Sequence, residues 1–173
     1  MSLLLVELDL TQDLEATLEI VRSAAANHGS ELIEVQVTTD QAHAFIIIEY
    51  GNKVELVTEL KGTDLEITDV ADVRLVGAEL SEIKALRPKG NYLVEWDLPE
   101  GLTMDTYLAR KQEKTPLYAE VPEVSFLRTY VREDMVKCLC FYDGDSEADV
   151  KRARDVVSAP IDRLHRIEGA DAN

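Results

Sequence analysis

Residues 3–10, L-L-L-V-E-L-D-L, are echoed by residues 91–98, N-Y-L-V-E-W-D-L, and that echo decides the fold. Each stretch reads as a strand, because apolar residues dominate and E-x-D falls on one face at the strand period of two. After each, the chain repeats one order: a helical pattern, two apolar runs about an acidic turn, a second helix and a short last strand. A pattern stated twice predicts two similar subdomains related by a pseudo-twofold axis, with any ligand expected where the copies meet.

In the first copy, residues 3–9 form the opening strand and Thr11 is the expected N-cap, with Asp13 in the first turn. Leu14, Leu18, Val21 and Ala25 recur at helical spacing until Gly29. Residues 31–38 alternate, with Ile33, Val35 and Val37 on one face and Glu34, Gln36 and Thr38 on the other. A turn at Thr39–Gln41 returns the chain through a strand over 42–50, a helix over 53–61 and a fourth strand over 71–79. In the second copy a helix starts near Thr103 and meets Pro116, which ends or kinks it. A hairpin over 124–132 and 135–142 follows, then a helix capped by Ser146, and a strand over 161–168.

The order β-α-β-β-α-β is that of a ferredoxin-like unit. The expected fold is therefore α+β, with two tandem ferredoxin-like repeats packed sheet to sheet as an α/β barrel within one chain. Packing of that kind covers the sheet face that a lone unit leaves bare. The expected bounds are 1–80 for the first repeat, 81–90 for a linker containing Pro88 and Gly90, 91–168 for the second repeat and 169–173 for a tail.

Charge narrows the function. Among 173 residues, 34 acidic side chains face 18 basic ones, a net charge of −16. Nucleic acid is excluded as a non-specific partner, because phosphate binding rests on Lys and Arg, and anionic membrane surfaces are disfavoured likewise. The amino terminus meets Glu7 and Asp9 at once and lacks a basic leader, so it reads as a strand and not a signal peptide, with the cytoplasm as expected location. Cys138 and Cys140, two apart on one strand, share a face and read as reduced core residues.

The second copy carries recognisable wording in Y-L-V-E-W-D-L-P at 92–99, L-R-T-Y-V at 127–131, Cys138 and A-P-I-D-R-L at 159–164. Over residues 91–168 it resembles a small bacterial family, formerly a domain of unknown function, whose named representative is a nickel-responsive protein. The resemblance implies the ferredoxin-like unit of the dimeric α/β-barrel class and, as cofactor, a divalent metal, nickel. It also implies a His in the last helix ahead of a Gly-Leu-Pro step. Here that segment reads R-A-R-D-V-V-S-A-P, with Ala153 and Ser158 near those positions. The first copy, matching through V-E-L-D-L and element order, reads as a diverged duplicate.

The candidate ligand-binding residues are Glu95, Asp97, Arg128 and Tyr130, with Glu7 and Asp9 as partners. Paired carboxylates on one strand face share a proton or hold a hard cation. The same carboxylates would otherwise lie at solvent or pair with Arg128 and Arg163. His43 and His165 are the candidate metal ligands beside those carboxylates, a donor set suited to nickel or zinc. No His-x₃-His or Cys-x₂-Cys spacing supports them, and no phosphate-cradling Gly loop, nucleophile elbow or dinucleotide fingerprint occurs. His28, at a helix end, has a structural role. The expected function is a non-catalytic binding protein for a small molecule or metal ion, with a homodimer as a further expectation. One alternative is an enzyme of the isomerase or cofactor-free oxygenase kind, with Glu95 or His165 as base. The other is a structural or interaction protein with a solid core.

Overall fold

The computed structural model describes residues 2–85 and 90–172. The chain is mixed α+β and divides into two compact units. The first spans residues up to Val73 together with the segment from Ser81 and the tail from Glu168, while Arg74–Leu80 join the second. The Pro88 part of the expected linker lies outside the described residues.

In the first unit β1 (Ser2–Asp9) leads to α1 (Leu14–Asn27), β2 (Glu31–Thr38), β3 (His43–Tyr50), α2 (Lys53–Lys61) and β4 (Glu66–Val76). β1 is central, hydrogen-bonded antiparallel to β3 and β4, and β2 adds outside β3. The helix-side core joins Leu4, Val6 and Leu8 of β1 to Leu18 and Val21 of α1 and Leu56 and Leu60 of α2. Asp13, not Thr11, is the N-cap: its carboxylate accepts from the Ala16 amide at 3.1 Å. The helix ends before Gly29, whose φ of +60° suits a residue without Cβ.

Two strands of the first unit differ from the sequence reading. β2 contains a bulge between Leu32 and Glu34, so Ile33 is the extra residue and the alternation runs true only beyond it. Both faces of this strand are buried, Glu34 and Gln36 included, and the Gln36 amide donates to Glu34 at 2.9 Å. β4 starts at Glu66, ahead of the expected residue 71. Its Glu66, Asp69 and Asp72 resemble loop composition, yet the backbone pairs with β1 from Glu66 to Val73 across one register shift.

A short helix, α3 (Leu80–Ala85), follows, and Lys84 on it pairs with Glu31 and with buried Glu49. The second unit then runs β5 (Tyr92–Asp97), α4 (Met104–Lys114), a 3₁₀ turn (Thr115–Glu120), β6 (Val124–Arg132), β7 (Lys137–Gly144), α5 (Glu147–Val156) and β8 (Arg163–Ala170). β5 lies between β7 and β8, and β6 adds outside β7, all antiparallel. Thr103 and Ser146 cap α4 and α5 through their hydroxyls. Pro116 sits in the first turn of the 3₁₀ segment, where its missing N–H costs no α-helical bond. β6 carries its own bulge between Phe126 and Arg128. β8 continues to Ala170, beyond the expected 168, so part of the expected tail is strand.

The helix-side core of this unit gathers Tyr92, Val94 and Trp96 with Cys138, Cys140, Tyr142, Val150 and Ala153. Both cysteines are free and buried, with sulfurs 3.9 Å apart. Among the described residues no helix is long and apolar enough to cross a membrane.

Candidate functional site: a buried carboxylate held by two cations and a histidine

Because strand side chains alternate, Trp96 turns to the helices while Leu93, Glu95 and Asp97 turn to the opposite face of the sheet. Cross-strand register fills out that face. Arg163, Glu95, Leu139 and Tyr130 form one row, and His165, Leu93, Phe141 and Arg128 the next. Lys137 stands opposite Asp97.

Glu95 is 3% exposed and both of its oxygens are taken. Lys137 Nζ donates to Oε1 at 2.7 Å, while Arg163 Nε and His165 Nε2 each reach Oε2 at 2.8 Å. Burial by itself would raise the Glu95 pKa. Hydrogen bonds from His165 and Lys137, with the charges of Lys137 and Arg163, outweigh it and hold the carboxyl at about 2. Arg163 turns its other nitrogens to Asp97 at 3.0 and 2.5 Å, a forked pairing that lowers the Asp97 pKa. One guanidinium thus ties both members of the E-x-D pair together.

Arg128 and Tyr130 are buried on the same face, at 2% and 0% exposure. The Arg128 guanidinium lies 4.5 Å from the Phe141 ring centroid, and Tyr130 meets that ring edge-on at 5.8 Å.

The corresponding positions of the first unit carry a different balance. Glu7 is buried and Asp9 exposed, and His43 stands between them, 2.8 Å from Asp9 and 3.6 Å from Glu7. Proximity to Glu7, partly offset by burial and aided by Asp9, raises the His43 pKa above 6.5. In register on β4, Glu7 faces Asp69 and Asp9 faces Glu66, where Glu95 faces Arg163. His28, as expected, closes α1, its ring 2.6 Å from Glu59.

Within each unit the expected carboxylates and histidines therefore come together, but the donor set does not fit nickel. Among the described residues no group of three or more His, Cys, Asp or Glu side chains is placed to hold a metal ion. The oxygens of Glu95 already face Lys137 and Arg163, whose charges oppose a further cation. Sequence reasoning missed Lys137 as a partner of Glu95, because the pairing depends on strand register across 42 positions. It also missed Arg154, a helix-side residue whose signal was present: Val150, Ala153, Arg154 and Val157 fall on the buried stripe of α5 and its C-terminus.

Both units have the element order and antiparallel pairing of ferredoxin-like α+β proteins. The family model described as Nickel responsive protein SCO4226-like matches residues 92–167, the β5-to-β8 segment. No curated protein matches the sequence significantly. Among solved structures, the chain is similar to a protein provisionally named Chlorite dismutase TA0507, with TM-score 0.58, 11% identity, and coverage of 99% of this chain and 96% of that one. An anthrone oxidase-like protein gives TM-score 0.55 at 15% identity, covering 99% and 93%. A provisionally named monooxygenase from Lactobacillus acidophilus NCFM gives 0.51 at 10%, covering 97% and 93%. At these identities the likeness concerns fold.

Proposed function

We propose that this is a binding protein for a small polar molecule, and that the Glu95 face of the second unit's sheet contacts that molecule. The observation that carries the reading is buried Glu95 held by buried Lys137 together with Arg163 and His165, flanked in register by Leu93, Leu139 and Phe141. Small-molecule sites take this form: a largely apolar wall with a few fixed polar groups. Buried ion pairs seldom outdo apolar packing in stability, which favours a recognition role for this one. Asp97, Arg128 and Tyr130 belong to the same surface, with Glu7 and Asp9 as their first-unit counterparts.

Native mass spectrometry of untreated protein tests the reading. A retained small-molecule mass is expected in the wild type and lost in Glu95→Gln. If the wild type carries no adduct and no compound in a metabolite library raises its melting temperature, the proposal is wrong. Nickel is expected to give no such rise.

A second reading, an enzyme, is favoured by one contact. His165 lies 2.8 Å from Glu95, and a histidine oriented by a carboxylate is a usual general base. The fold likeness to proteins named for oxygen chemistry points the same way. Glu95 is unsuited to the base role, because a carboxyl held at about 2 is too weakly basic. The enzyme reading expects His165→Gln to abolish turnover while leaving binding intact.

A further inference from the structure

The other side of the same sheet holds a second site. Between the sheet, α4, the 3₁₀ turn and the C-terminal end of α5 lies a shallow cleft open to solvent, with a cavity volume of about 30 Å³. Four cations line it: Arg110, Lys111, Lys114 and Arg154. In a chain of net charge −16, no carboxylate lines the cleft, and none of the four forms an ion pair among the described residues.

Arg154 is the unusual member. It is 2% exposed, yet its guanidinium meets no carboxylate: it donates to the Tyr142 hydroxyl at 3.0 Å and the Pro160 carbonyl at 2.6 Å and lies 5.9 Å from the Trp96 ring centroid. Its Nε is buried without any hydrogen-bond partner. A buried guanidinium that faces no carboxylate is costly. The neighbours point to what is missing. Arg110 and Lys111 spend their charges on the Trp96 and Phe126 rings, and Lys114 has no partner among the described residues. The hydrogen bond with Cys138, then the charges of Arg154 and Lys111, pull the Cys140 thiol down despite its complete burial. The cations of the cleft are therefore placed to stabilise negative charge. Trp96, Tyr107 and Tyr118 supply aromatic walls beside it.

We propose that this cleft binds a small aryl anion, a carboxylate or a phosphate monoester, with its charged head at Arg154 and its ring against the aromatic wall. The planar, fixed donor array of a guanidinium suits such a head, and Lys111 and Lys114 add point charges at the mouth. This site is separate from the Glu95 face and does not depend on it.

Trp96 is the single tryptophan of the chain, so its fluorescence reports on the cleft directly. Benzoate and phenyl phosphate are titrated against the uncharged analogue benzamide. A saturable change is expected with one or both anions, identifying the preferred head group, and at least about tenfold weaker binding with benzamide. The double variant Lys111→Gln/Lys114→Gln should weaken anion binding by about tenfold or more while keeping its melting temperature. Three results would overturn the proposal: no saturable change with either anion, equal binding of benzamide, or unaltered affinity in the double variant. A thiolate absorption band at neutral pH that persists in the presence of either anion would make Cys140 the counter-charge of Arg154, and that too refutes it.

Discussion

Glu95 concentrates the polar chemistry of the second sheet because cations from two neighbouring strands converge on its two oxygens. Its carboxyl sits at about 2 in the folded chain, against an ordinary 4.5 when unfolded. A depressed folded-state pKa contributes stability that is complete above 4.5 and is lost as pH falls toward 2, by about 3 kcal/mol in all. Glu95→Gln removes the charge and leaves Lys137 and Arg163 without it, a loss of roughly 3–5 kcal/mol near neutrality. Thermal melts of both proteins from neutral pH down to about 2 should show the gap closing with acid; a constant gap would mean that the cations are satisfied elsewhere. His43 behaves in the opposite sense. Its raised pKa contributes stability that is full below 6.5 and lost as pH rises through the folded-state value.

At the element scale, the helix ends separate what local sequence can say from what it cannot. Ser146 was legible as a cap, and the start of α4 near Thr103 as a helix start, because a hydroxyl three residues ahead of a backbone amide is a local geometry. The start of α1 was not, since Thr11 and Asp13 both precede the apolar period and only the backbone turn selects between them. Asp13→Ala should cost about 1 kcal/mol, and Thr11→Ala close to nothing, in denaturant unfolding. Equal effects would remove Asp13 from the capping role. The strands divide in the same way. The E-x-D strands and both hairpins were legible from alternation, whereas the Ile33 bulge and the early start of β4 were not. A bulge shifts register without altering composition, and acidic residues at 66, 69 and 72 look like loop until β1 pairs with them. Part of the site was legible for the same reason: alternation places Glu95 with Asp97 and Arg128 with Tyr130. The cations that neutralise Glu95 arrive from strands 42 and 68 positions away, which no local period encodes.

Across the whole molecule the acidic excess is not spread evenly over corresponding positions. Where β1 places Glu7 opposite Asp69, β5 places Glu95 opposite Arg163; where β2 has Glu34 after its bulge, β6 has Arg128 after its own. The first sheet thus gathers carboxylates about a single titratable His43, and the second gathers cations about a single deeply buried carboxylate. That difference in sign is why an echoed motif need not have an echoed function, and why the candidate sites fall in the second unit. Excess acid elsewhere should work against folding. With 34 acidic groups against 18 basic ones, like-charge repulsion outnumbers the attractive surface pairs, which are individually weak. Raising sodium chloride from about 0.01 M to about 0.5 M shortens the screening length from roughly 30 Å to a few ångströms, and so relieves the repulsion. If that relief is on the order of 1 kcal/mol, the melting temperature rises by about 2–4 °C. The buried Glu95 network is screened far less than surface charges, so Glu95→Gln should show nearly the same salt response as the wild type. A melting temperature that falls with salt would mean that the surface pairs of Arg22, Arg74 and Arg152 outweigh the net charge.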